Sequence, residues 1–307
     1  MAEITAALVK ELREKTGAGM MDCKKALNEC KGELEAAIDW LRTKGLAAAA
    51  KKASRVASEG LVATYIEENK AAIVEVNSET DFVGKNAQFQ SLVQNVVKLA
   101  INSSDVEELK NATYPDTGRK VIDEIAEHVS IIGENMNLRR MHNLSVSQGV
   151  IVNYTHNAVT GNLGKIAVLV ALESSASQDK LNTLGKQLAM HIAAAKPEAL
   201  NIENVDASAL EREKQIFSEQ ARASGKPESI IEKMVEGRIR KYYEEIVLLE
   251  QIFVMDGKTK ISEVIEQASK ELGSPVKIKE FVRFALGEGI EKDESNFADE
   301  VKAMSSK

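Results

Sequence analysis

An α+β protein is predicted, on three observations. Residues 3–45 carry short amphipathic helical segments, each followed by a glycine: Gly17, Gly32 and Gly45. A hairpin-then-helix pattern starting at Gly60 recurs from Gly149, 89 residues later, with Tyr65 and Tyr154 at the same spacing. Residues 206–250 read as two long helices around a Gly/Pro turn.

In chain order, residues 1–45 form a three-helix module. Ile4, Leu8 and Leu12 repeat on one face of the first helix, with Thr5 as its cap. Met20 or Met21, Cys23, Ala26, Leu27 and Cys30 face inward on the second, and Leu34, Ile38 and Leu41 on the third. Residues 46–59, rich in Ala, Lys and Ser with no broad apolar face, read as a linker that is helical in part.

Residues 60–144 form a first core subdomain. It has β arms at 61–66 and 71–77, a helix at Ala87–Ile101, and a second helix at about 117–132. The second subdomain, residues 145–290, repeats the hairpin and the helix, the latter stopped near Pro197. An internal duplication follows from the shared order. The segment 206–250 is an inserted antiparallel helical arm, striped by Leu210, Phe217, Ile231, Met234, Ile239 and Ile246. So much apolar surface lies either on the arm's own core or on a second copy. "QIFVMDG", 251–257, and "VKIKEFVRFALGEG", 276–289, read as strands around a helix. The tail, 291–307, reads as a short C-terminal helix with Phe297, Val301 and Met304 on one side.

The net charge of −7 gives no general attraction to nucleic acid. No secretory signal opens the chain, and no apolar run reaches the ~20 residues that span a bilayer. Cys23 and Cys30, two helical turns apart, sit about 10 Å from each other, too far for a disulfide. Two free thiols fit a reducing cytoplasm.

Catalytic signatures are scarce. "DGKT" at 256–259 has Ile252 where a phosphate-binding loop needs its first glycine, and there is no GxGxxG. His128, His142, His156 and His191 are scattered, without metal-ligand spacing. Cys23 lies beside Lys24 and Lys25 but has no histidine near it in sequence. The pattern points to a binding protein that uses no cofactor. Its most unusual stretch is "VNSETDFVGKN", which sets Phe82 in a polar turn. From the residues alone, Phe82 is either a staple onto the helix after Asn86 or a protruding contact.

"MAEITAALVKELREKTGAGMMDCKKAL" and "VNSETDFVGKNAQFQ" resemble the bacterial elongation factor Ts family, as do "IGENMNLRR", "HIAAAKPEAL", "SGKP", "KMVEGRIRKY" and "GEGIEK", in that order along the whole chain. The resemblance implies a non-catalytic guanine nucleotide exchange factor for elongation factor Tu, cytoplasmic, acting in translation elongation. It implies a ubiquitin-associated-like N-terminal module, a duplicated core, the arm and a C-terminal helix. It assigns Thr80, Asp81, Phe82 and Val83 to displacing the partner's magnesium ion. It assigns Met20, Met21, Ile132, Gly133 and His156 to other partner contacts. For some members it implies a homodimer through the arm; it implies no direct nucleic-acid or membrane contact. The competing readings are a small-molecule enzyme using Cys23 or a carboxylate pair, and an adaptor built on the N-terminal module alone.

Overall fold

The computed structural model describes residues 4–16, 18–223, 225 and 227–291. The expected stop at Gly17 and the expected C-terminal helix, past Glu291, lie outside them. Helices α1 (Ala6–Thr16), α2 (Met20–Glu29) and α3 (Leu34–Lys52) come first. The Thr5 hydroxyl accepts a 3.2 Å bond from the Leu8 N–H, capping α1. Val9, Leu12, Cys23, Ala26, Leu27 and Leu41 close into a small core.

The first half of the core starts with hairpin β1 (Glu59–Glu67) and β2 (Lys70–Ser78). Helices α4 (Ala87–Ala100), α5 (Val106–Asn111) and α6 (Val121–Ile132) follow, and then β3 (Met136–Ser145), antiparallel to β2. The second half runs β4 (Gly149–His156), β5 (Leu163–Gly164), β6 (Ile166–Glu173) and α7 (Gln178–Ala195). The arm, α8 (Ala207–Ala223) packed on α9 (Glu228–Ile246), precedes α10 (Ile261–Leu272) and β7 (Lys277–Ala285).

Two sheets result, in the orders β3-β2-β1-β5 and β4-β6-β7. They meet face to face through Val62, Ala71 and Ile73 on one side and Ile151, Leu169 and Ala171 on the other. Helices α4 and α6 cover the outer face of the first sheet, and α7 and α10 that of the second. Strand β2 is therefore buried on both faces, which accounts for its nearly unbroken apolar run.

The duplication extends further than the two hairpins. Gly60 and Gly149 adopt φ of 121° and 140°, and a Cβ on either would overlap a carbonyl oxygen, that of Val76 or of Leu172. Those same two residues adjoin a β-bulge in each sheet, at Glu75/Val76 and at Ala171/Leu172. Thr64 and Asn153, 89 residues apart like the glycines, meet each other: the Asn153 Nδ2 donates to the Thr64 Oγ1 at 3.0 Å.

Three expectations are corrected. Gly45 does not end α3, which runs on to Lys52 through the first half of the segment read as a partly helical linker. Gly45 is buried where α3 crosses α6, and a Cβ there would come within 3.2 Å of the Ser130 Cβ. The glycine allows a close helix crossing; it does not stop the helix. Residues 251–257 form no strand. The Phe253 N–H donates to the Thr259 carbonyl at 2.8 Å across a tight turn with Gly257 at φ 68°. Tyr114 and Arg119 make the same bond at 2.7 Å, with Gly118 at φ 68°, so this turn too is duplicated. The polar turn of the second hairpin contains β5, which leaves its own half and pairs with β1.

Candidate partner-binding surface

After Ser78 the chain leaves β2 and is tied down residue by residue. The Asn135 N–H donates to the Glu79 Oε1 at 2.6 Å. In return the Thr80 N–H and hydroxyl donate to the two carboxylate oxygens of Glu134, at 2.9 and 2.7 Å. Val83 is buried in the core that holds Phe89, and Gly84 is held by the Gln90 amide, which donates to its carbonyl at 2.9 Å. The Asn86 side chain accepts from the Gln88 and Phe89 N–H groups, starting α4.

Between these anchors Phe82 is 73% exposed. It does not staple onto α4; Val83 takes the buried place. The Lys85 ammonium lies 5.7 Å from the centroid of the Phe82 ring and 3.8 Å from the Asp81 carboxylate, with both charged groups in solvent. Asp81 caps no helix, since Asn86 does so.

Ile132 and Gly133 lie beside this loop. Ile132 is half-buried against the first core, and Gly133, at φ 91°, ends α6 in the left-handed conformation that favours glycine. The Lys52 ammonium donates to its carbonyl at 2.6 Å. The Glu79–Asn135 and Thr80–Glu134 bonds therefore bring together two segments that lie some fifty residues apart in sequence.

Met20 and Met21 begin α2 and are 61% and 77% exposed, so neither faces inward as expected of one of them, while Cys23, Ala26 and Leu27 fill the module's core. Gly19, just before them, lines a cleft of about 260 Å³ with Trp40, Lys44, Glu127 and Ile131. That cleft separates the module from α6, one residue short of Ile132. Burial raises the Glu127 pKa, an effect the Arg119 guanidinium offsets in part.

His156 is exposed at the end of β4, its Nδ1 3.1 Å from the Tyr154 hydroxyl. It pairs with Ile166, whose neighbour Lys165 reaches Glu59 at 3.5 Å, and Glu59 pairs with Ser78. The turn after β4 and the loop after β2 thus leave their sheets at the same end. A further exposed apolar group, Ile252, Val254 and Met255, sits on the duplicated turn. The sequence pattern hid it because those residues looked like a strand.

Burial raises the Cys23 pKa against the Thr16 hydroxyl's pull, the opposite of an activated thiol. Among the described residues no three His, Cys, Asp or Glu side chains converge on a metal position. No helix among them is long and apolar enough to cross a membrane. A cleft of about 750 Å³ beside β7 is lined by Lys196, Glu198, Phe281 and Arg283, a mixture of both charges around one ring.

The fold defines a duplicated α+β protein whose prominent feature is an exposed apolar surface on a loop tied by hydrogen bonds at both ends. Comparison with known proteins is specific. The model of the family "Elongation factor TS" matches residues 79–288. Curated proteins named elongation factor Ts are 62% identical over 305 residues in Rhodospirillum centenum, covering 99% of both chains, and 61% identical over 306 residues in Rhodospirillum rubrum, again 99% of both. A relative of that name from Rickettsia bellii is 56% identical over 302 residues, 98% of this chain and 97% of its own. The chain belongs to the elongation factor Ts family.

Proposed function

We propose that this protein is a guanine nucleotide exchange factor for elongation factor Tu, working in the cytoplasm and itself catalysing no bond cleavage. The observation that carries the mechanism is the exposure of Phe82 on a loop fixed at both ends. GDP on such a GTPase is held by backbone amides at a helix N-terminus and by Mg²⁺. Octahedral Mg²⁺ tolerates little displacement of its ligands. The Phe82 ring wedges between partner elements and shifts the magnesium-binding region, with Asp81 contacting the displaced segment and Thr80 and Val83 holding the turn. Ile132 and Gly133 press on the partner beside it, Met20 and Met21 dock the module on the GTPase domain, and His156 meets another partner domain. Loss of about 4 kcal/mol of nucleotide binding, taken from the bound state, speeds release about a thousandfold. By linkage, nucleotide weakens this protein's binding to the same degree.

The test follows release of a fluorescent GDP analogue from elongation factor Tu with catalytic amounts of this protein. The wild type accelerates release and Phe82→Ala loses most of the effect. No acceleration by a folded sample overturns the exchange function. Equal acceleration by both overturns the wedge.

A further inference from the structure

The loop that carries Phe82 has no ring packing to hold it, yet it is ordered by a reciprocal pair of carboxylate clasps. Each of two neighbouring loops gives one carboxylate to the other's backbone. Glu79 accepts from the Asn135 N–H at 2.6 Å, and Glu134 accepts from the Thr80 N–H at 2.9 Å and the Thr80 hydroxyl at 2.7 Å. The Thr80 carbonyl is taken up as well, by the Ser78 hydroxyl at 3.0 Å. Hydrogen bonds to a carboxylate are short and stronger than neutral ones, and two from one residue fix direction as well as distance.

A third element joins the clasp. Lys52, the last residue of α3, donates to the Gly133 carbonyl, and the Asn135 amide donates to the Arg55 carbonyl at 2.7 Å. The Arg55 guanidinium lies 3.4 Å from Glu79. Helix α3 starts in the module that bears Met20 and Met21, so the clasp links three of the exposed contact segments.

The geometry points to Glu134 as a positioning residue: its carboxylate, bound to both polar groups of Thr80, presents Phe82 at a fixed angle and makes the Thr80–Val83 and Ile132–Gly133 segments move as one body. This rests on the exchange function proposed above. Glu134 itself need touch neither nucleotide nor magnesium. A loop freed at Thr80 would have to be ordered at each encounter, which loses the benefit of preorganisation. The loss falls on the step in which the ring is driven home, more than on the initial docking by the module.

Four proteins test it: wild type, Phe82→Ala, Glu134→Ala and the double variant, with Glu134→Gln as the conservative change. Glu134→Ala is expected to slow catalysed GDP release about tenfold, the scale of one lost charge-assisted pair. Most of the loss falls in kcat and little in KM, and Glu134→Gln recovers part of it. Made in the Phe82→Ala background, the same change costs less than about twofold, because Glu134 acts through the ring. An equal cost in both backgrounds, or none in either, overturns the proposal.

Amide hydrogen exchange on the free protein tests the clasp independently of activity. Glu134→Ala is expected to speed exchange at residues 79–85 and 133–135 and to leave α4 and the second sheet unchanged. Unchanged protection of the loop, or loss of protection throughout the chain, overturns the clasp. If Phe82→Ala alone left GDP release unaltered, the wedge would fall, and hydrogen exchange would still decide the clasp.

Discussion

Glu75 and Arg140 face each other across the β2–β3 bulge, Oε2 2.6 Å from Nε, with the Glu75 side chain wholly out of solvent. The bulge leaves Arg139 beside it, and Arg139 reaches the other oxygen at 3.0 Å. The Asn77 amide and the Gly287 N–H complete the site, each at 2.9 Å. Gly287 follows β7, so this one carboxylate ties the first sheet to the end of the second. Burial alone raises the Glu75 pKa. The Gly287 N–H, the Asn77 amide and Arg140 outweigh it and leave the pKa below 4.5.

Glu75→Ala should destabilise the fold by about 3–5 kcal/mol, because it leaves two arginines facing an emptied site. Urea unfolding measures this. The wild type should also lose the Glu75 contribution as pH falls below 4.5 towards the lowered folded-state value. The variant should lack that component of the acid transition. A loss under about 1 kcal/mol would show that the halves are held chiefly by the apolar seam.

Gly60→Ala and Gly149→Ala should have similar costs, about 2–4 kcal/mol each, since each forces a Cβ onto a carbonyl oxygen at positive φ. Thermal melts of the two variants give the comparison. A large cost at one site only would mean that the two copies no longer rely on the same bulge.

Met20→Ala and Met21→Ala should leave stability within about 0.5 kcal/mol, as exposed positions do. They should raise the concentration of this protein needed for half-maximal GDP release several-fold. A drop in melting temperature with unchanged exchange would return the methionines to a packing role.

His191 is buried, with its Nε2 2.9 Å from the Gln251 side chain and its Nδ1 accepting from the Val254 N–H at 3.3 Å. Burial lowers its pKa below 6.5, and Gln251 offsets part of the shift. The unfolded chain therefore takes up the proton first as pH falls. The stability His191 contributes is present above pH 6.5 and lost as pH drops through the folded-state value. Between about pH 7 and 5, the urea midpoint should fall less for His191→Gln than for the wild type. Equal slopes would show that His191 is not the titrating group.

How far the sequence reaches can be judged at particular residues. The repeat was legible because Gly60, Gly149 and the apolar arms are local signals. Strand β3 was not, because Arg139 and Arg140 interrupt its alternation, and only the buried Glu75 on another strand gives them a reason to be there. Gly45 looked like a helix stop because the close Ser130 contact is tertiary. The alanines after it looked like linker because small residues make a helix crossing without an apolar stripe; Ala49 lies against the first core. The exposure of Phe82, Met20 and Met21 is likewise invisible in composition. The residues alone drew attention to Phe82 in its polar turn and left staple and contact open. The family resemblance chose between them and singled out Met20 and Met21, and nothing local in the sequence marks the Glu79 and Glu134 clasps.

The two residues of β5 set an order of events in biosynthesis. A nascent chain emerges N-terminus first, so β1 and β2 can pair long before Leu163 and Gly164 arrive beside Val62 and Ala63. Until then one edge of the first sheet is open, and open edges recruit stray extended segments. A stalled chain that ends before residue 163 retains that edge. A chain released past it covers the middle of that edge, at Val62 and Ala63, with a strand borrowed from the second half, so the first half does not reach its final form before the second has begun.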